Sequence, residues 1–291
     1  MIETDTTYLT KPAEKKITIR HLLTHTSGIG YGVIDGDPRM KKIYAKAGVT
    51  DLYTTKDISI EQSIKKLAKL PLHHEPGAKF TYSEGLDVLG YLIEIISGMP
   101  FDQFLKTRIF DPLGMEDTYF YLPEDKANRL VAVQHNKDGK WQNFPVTFYD
   151  PLYPIKGAKR FFSGGAGLSS TVQDYAAFLQ MYLNKGTYNG HRLLSRTTVD
   201  FIMKNQIPDI TLWGSKDSYY GLAFGVVAPR GAAKGGKGSE GTFEWGGYFN
   251  TQYFADPQEQ LIGILFKQTQ GAIEEDPIGK FRRMIWTTIV D

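Results

Sequence analysis

A serine followed by a lysine one helical turn later occurs at Ser63-Ile64-Lys65-Lys66. Such a pair can share a proton, and a serine hydroxyl is a weak nucleophile until a neighbour takes that proton. The pair falls in a lysine-rich turn that reads as surface-facing, so Ser63 is expected to be an exposed helix serine, not a nucleophile. Ser27 reads as a turn residue beside Gly28. His21 and His25 have the spacing of a helical zinc pair, but Leu22 stands where a metalloprotease needs its glutamate. His73-His74-Glu75 adjoins Pro76-Gly77 in a loop without an apparent third ligand, and no metal site is expected. Gly236-Lys237-Gly238-Ser239-Glu240-Gly241 is a literal Gly-x-Gly-x-x-Gly, and Gly231 to Lys237 imitates the opening of a phosphate loop. Both precede a strand, whereas a phosphate is held by the amides of a following helix, and Gly238 replaces the Ser or Thr required after Lys237. No cofactor is expected.

The elements that carry these residues change character along the chain. Ile17 to Leu23 predicts a short helix ending near Gly28, which can take the left-handed stop. Ser59-Ile60-Glu61-Gln62 has the form of a capping box and opens a helix over about 60 to 69. Leu86, Leu89, Ile93 and Ile96 mark an amphipathic helix begun by Ser83 and stopped by Gly98; Phe101 to Phe110 predicts the next, closed by Asp111-Pro112. Ser170-Thr171-Val172-Gln173 reads as a second capping box, before Tyr175, Phe178, Leu179 and Tyr182. From about Tyr219 the period becomes extended. Leu222 to Val227, Phe243 to Ala255 and Leu261 to Gln268 predict three antiparallel strands, and Ile278 to Val290 a covering helix. Such a thin sheet would leave an edge strand exposed and the chain prone to associate.

Five segments stand in a telling order: Ile17-Thr18-Ile19-Arg20-His21-Leu22-Leu23-Thr24-His25-Thr26-Ser27-Gly28, Tyr82-Ser83-Glu84-Gly85, Asp111-Pro112-Leu113-Gly114-Met115, Gly164-Gly165-Ala166-Gly167-Leu168-Ser169-Ser170, and Trp245-Gly246-Gly247. Together they resemble the class C β-lactamases and penicillin-binding-protein-like hydrolases, in the family VIII carboxylesterase branch, from about residue 17 onward. The resemblance implies an α+β fold of β-lactamase/transpeptidase type, with a helix-rich lobe over 1–215 and antiparallel strands with a C-terminal helix over 216–291. One domain over 1–291 is expected, its sheet incomplete at the N-terminal side.

By the same resemblance Tyr82 is the proton-handling phenol. A tyrosine titrates near 10 unless positive charge lies beside it, roughly its unperturbed value. Ser83 and Glu84 belong to the substrate-binding set, with Glu84 replacing the usual Asn and offering an acceptor-only carboxylate where the amide would both give and take. Trp245, Gly246 and Gly247 form the strand beside the oxyanion, with the N–H of Tyr248 as a donor; the tryptophan favours ester substrates with acyl or aryl bulk over anionic lactams. Read without the family, Tyr82 is a tyrosine at a helix entrance and the glycines a bulge beside a core tryptophan.

The family's Ser-x-x-Lys precedes the Leu-Leu-Thr-His-Thr-Ser-Gly segment. Ahead of Ile17, Thr10-Lys11-Pro12 is the nearest polar cluster, and Pro12 argues against a helix there. The expectation is therefore a serine hydrolase, esterase-like and working through an acyl-enzyme in its complete form, whose nucleophile is not in this sequence and which is inactive as written. The alternative is a pseudoenzyme that binds a cell-wall-like or acyl ligand. Lys plus Arg number 34 against 32 Asp plus Glu, a net charge of +2 that argues for no nucleic acid or anionic membrane and fits a small ester or amide substrate. There are no cysteines, which removes disulfides and a thiol nucleophile together. No apolar run approaches the roughly 20 residues of a membrane span. Met1 to Thr7 has no basic or apolar signal region, so an extracytoplasmic location would require an export signal upstream.

Overall fold

Thr18 opens the first helix, Ile19–Leu23, by a capping box in which its hydroxyl accepts the His21 N–H and its own N–H bonds the His21 ring. The computed structural model describes residues 8–271 and 277–289; the Met1 to Thr7 start and Val290 of the expected last helix lie outside them. The helix stops at Thr24, and His25 takes the left-handed backbone (φ 53°) ahead of Gly28 (φ 83°). Ser59 and Gln62 cap Ile60–Leu67 reciprocally, as expected. Glu84, rather than Ser83, stands at the entrance of Gly85–Ser97, and Gly98 closes that helix at φ 69°. Leu89 packs partly buried against the core as expected, but Ile96 is 74% exposed, and the fully buried positions of the helix are Gly85, Asp87 and Gly90. The helix expected over Phe101 to Phe110 begins as α-helix at Phe101–Leu105 and widens to a π-turn over Lys106–Phe110.

Packing gathers the chain into two compact units. The first comprises the residues up to Phe104 with Tyr119–Glu124 and Val146–Ser169. Its core joins Leu22, Ile29, Met40, Ile43, Tyr44, Ile60, Ile64, Leu67 and Phe161. Two glycines allow close backbone approach there: a Cβ on Gly85 would lie 2.8 Å from the Leu22 carbonyl oxygen, and one on Gly164 only 2.3 Å from that of Leu86.

The second unit comprises Leu105–Thr118, Asp125–Pro145 and the chain from Ser170. It holds a five-stranded antiparallel meander in the order Ser218–Tyr220, Gly225–Val227, Phe243–Gly246, Thr251–Asp256, Leu261–Phe266. The three expected strands are thus five. Phe243 to Ala255 turns back on itself after Gly246, and Ser218–Tyr220 pairs where no strand was expected, because its three residues are too short to show a period. The helix Val172–Leu183 covers one face through Leu179 and Leu183 against Phe224, Val226, Phe243 and Ala255. Its cap is Thr171, which accepts the Asp174 N–H, one residue beyond the Ser170 and Gln173 expected. On the other face the Pro277–Trp286 helix lays Trp286 near Phe254, ring centroids 5.8 Å apart, and sets Arg282 against Glu244.

Candidate active site

Tyr82 lies in the first unit, partly buried, where the chain enters the Gly85–Ser97 helix. Its ring sits 4.7 Å from that of His25 and 5.1 Å from that of Tyr31, centroid to centroid. The Tyr31 hydroxyl also hydrogen-bonds the Tyr82 side chain. His25 is wholly buried and fixed by Ser83: the Ser83 N–H donates to Nδ1 over 3.2 Å, and the Ser83 Oγ lies 3.0 Å from the same nitrogen. An Nδ1 that accepts an amide proton leaves the neutral tautomer protonated at Nε2. Burial pulls the imidazole pKa down to about 3, so it stays neutral. The Thr81 N–H closes the frame on the His25 carbonyl at 2.8 Å.

Ser83 and Glu84, next to Tyr82 in the chain, are both buried within the unit. Glu84 shares this interior with the buried carboxyls of Asp51 and Asp87. Burial first, then the charges of Asp51 and Asp87, push the Glu84 pKa well above the usual carboxylate range. The sequence reading of Glu84 as acceptor-only is corrected accordingly: a carboxyl that favours its proton can also donate. Asp87 is pushed up to about 6, chiefly by burial, against the opposing hydrogen bond from the Ser163 hydroxyl at 2.5 Å. Glu84 Oε1 and Asp87 Oδ2 have no hydrogen-bond partner among the described residues. Tyr31, Asp51 and Asp87 escaped the sequence reading; the available signal was Asp87, a carboxylate set among apolar residues one turn into the helix.

Trp245, Gly246, Gly247 and Tyr248 lie together in the second unit, at the end of Phe243–Gly246 and in the turn that follows. The turn is pinned by the Gly247 N–H to Thr251 carbonyl bond (2.8 Å) and by the Asn250 N–H to Gly247 carbonyl bond (3.0 Å). Neighbouring side chains supply a local reason for both glycines. A Cβ on Gly246 would meet Gln252 Nε2 at 2.3 Å, and one on Gly247 would meet Thr251 Oγ1 at 2.3 Å. The Trp245 ring lies on Gly225, with Tyr220 edge-on at 5.1 Å and Trp213 stacked at 5.2 Å. Trp213 is a further residue missed from sequence; its signal was a tryptophan directly before Gly214 in a short turn.

Ser63 corrects its expectation. It is buried, not exposed, and its hydroxyl donates to the Thr50 carbonyl (2.6 Å) while accepting the Thr50 N–H (2.8 Å). Lys66, its partner in the motif, donates to the Gly48 carbonyl at 2.9 Å. Both groups are spent on tying the helix to the preceding loop. Ser27 is the expected turn residue, its Oγ taking the Ile29 N–H at 3.2 Å. His73 pairs with Asp35 at 2.9 Å, and His74 bridges the Glu75 carbonyl and Thr81.

Comparison with known proteins gives these positions a setting. The family described as Beta-lactamase matches residues 6–284. Protein Rv1367c of Mycobacterium tuberculosis is 33% identical over 264 residues, covering 87% of this chain and 62% of that protein. Esterase EstB of Burkholderia gladioli is 31% identical over 277 residues, covering 88% and 66%. The chain therefore spans a little under two thirds of the length of these relatives. Among solved structures, EstCE1, a hydrolase with promiscuous acyltransferase activity, superposes with a TM-score of 0.78 at 24% identity, over 93% of this chain and 72% of that one.

Proposed function

Because the chain belongs to the beta-lactamase family, we propose that it is the larger part of an esterase-like serine hydrolase, with Tyr82 as its proton-handling group and the Trp245 to Tyr248 segment as its oxyanion strand. The observation that carries this is the holding of Tyr82 against the His25 ring, which Ser83 fixes, and against Tyr31, a preorganisation that proton transfer rewards; because His25 is neutral, the positive charge that lowers the phenol is assigned to the lysine of the Ser-x-x-Lys pair. Similarity to EstB supports small ester substrates. Ser83 acts through the His25 ring that Tyr82 packs against, and Glu84 stands buried at the entrance of the following helix. No serine of this sequence stands in a Ser-x-x-Lys pair ahead of the Leu-Leu-Thr-His segment, and the one literal pair is occupied by Thr50 and Gly48. The proposal therefore includes inactivity of the chain as written, and a single domain over 1–291 that a nucleophile-bearing segment completes.

The test is turnover of p-nitrophenyl butyrate and nitrocefin by the 291-residue chain, and by the same chain with a Ser-x-x-Lys segment of the family fused ahead of it. The expected result is no turnover from the first and ester hydrolysis from the second, falling about a hundredfold or more in Tyr82→Phe, the scale of general acid–base catalysis. Turnover by the unfused chain that disappears in Ser63→Ala would overturn the account. A correctly folded fusion that binds ester analogues without cleaving them would favour the non-catalytic binder.

A further inference from the structure

Trp213 occupies a backbone position that bulky residues avoid. Leu212 to Ser215 forms a tight turn closed by the Ser215 N–H to Leu212 carbonyl bond at 3.0 Å, with φ 48° at Trp213 and φ 75° at Gly214. Positive φ at both central residues is the type I′ arrangement, in which Asn, Asp or Gly is favoured at the first place. A tryptophan there is strained. It is also 66% exposed, which leaves much of the indole accessible to a ligand. One face nevertheless has a defined partner: the indole stacks on Trp245 at 5.2 Å with the rings 21° apart. Trp245 is itself held edge-on by Tyr220, and Gly225 beneath it leaves room for the ring.

From this strained, exposed and stacked arrangement we infer that Trp213 and Trp245 form an aromatic platform that binds the planar aromatic group of an ester, making Trp213 a specificity-determining residue. The inference rests on the reading of the Trp245 strand given above and extends it to a substrate class. Trp245 supplies the anchored layer, and Trp213 offers a second face in line with it. Offset stacking on an indole prefers a flat π-surface to a saturated ring of equal size, so the platform discriminates by shape and quadrupole rather than by charge.

The test uses binding, so that it does not depend on turnover. Methyl 2-naphthyl ketone serves as an unhydrolysable analogue of a naphthoyl ester and methyl 2-decahydronaphthyl ketone as its saturated counterpart, each titrated against the 291-residue chain while the indole N–H resonances of its four tryptophans are followed. The Trp213 and Trp245 signals are expected to shift with the naphthyl ketone, which binds about tenfold more tightly than the decahydronaphthyl one. Trp213→Asn places the turn-favoured residue at the strained position, so it is expected to melt at or above the wild-type temperature while losing the tenfold preference. Trp213→Phe, which keeps a smaller ring, is expected to regain part of it. An unchanged preference in a folded Trp213→Asn, or naphthyl binding that leaves both indole signals unmoved, overturns the platform. A fused chain without ester turnover, whose indole signals still shift, would sink the esterase reading and leave the platform supported.

Discussion

Asp87 shows how a residue outside the recognised motifs can govern the behaviour of those inside it. Unfolded, its carboxyl titrates near the ordinary 3.8; folded, it titrates at about 6, because burial disfavours the charge. The folded chain therefore keeps a proton that the unfolded chain has released, between those two values. The contribution of Asp87 to stability is complete below about pH 4 and is lost as pH rises through 6, a difference of about 3 kcal/mol from this group. Urea unfolding at pH 5 and pH 7 is expected to show the decline, to which the likewise raised Glu84 and Asp51 add, and Asp87→Asn to make it shallower. A slope that Asp87→Asn leaves unchanged would place the proton elsewhere. Ser63 offers the complementary test. Its hydroxyl makes two buried backbone bonds, so Ser63→Ala is expected to cost about 1–3 kcal/mol in unfolding free energy and to change no chemistry.

Among the elements, capping residues and glycines position the candidate site. Thr171 and Asp174 start the helix that supports the Phe243–Gly246 strand, and Asp174 also takes the Asp117 N–H and the Thr118 hydroxyl, both at 2.7 Å. Thr171→Ala is expected to cost about 1 kcal/mol as a lost cap, and Asp174→Ala more, since it strands the Asp117 N–H and removes one of the two partners of the Thr118 hydroxyl. Gly164→Ala meets a backbone carbonyl rather than a pliable side chain, and is expected to destabilise by about 1–3 kcal/mol. Thermal melts of the three variants rank the predictions, and an Asp174→Ala milder than Thr171→Ala would refute the assignment of its extra bonds. The capping box at Ser59 was legible because its partners are local in sequence. The cap at Thr171 was misplaced by one residue because Ser170, Thr171, Gln173 and Asp174 all satisfy a cap pattern; contact with Asp117 and Thr118 selects Asp174.

At the scale of the molecule, the five-stranded meander ends on Leu261–Phe266, six residues without a charge or proline. An edge of that composition templates pairing with another chain, whereas the opposite edge, Ser218–Tyr220, is only three residues long. Light scattering of the purified chain is expected to show association that grows with concentration. A monomer at high concentration with a single cooperative melt would refute this. Among the described residues, no single helix is long and apolar enough to cross a membrane.

The sequence by itself determined the family and the α+β fold, because five motifs in order are a signal independent of where the chain goes in space. It also determined the helices whose caps and apolar residues lie within one or two turns of each other. The tertiary structure alone decided what surrounds Tyr82: His25 reaches Ser83 across 58 positions, and Asp87 reaches Ser163 across 76. It likewise decided the fate of Ser63 and the stacking of Trp213 on Trp245. Burial and pairing of this kind are properties of distant segments meeting, and local spacing holds no record of them.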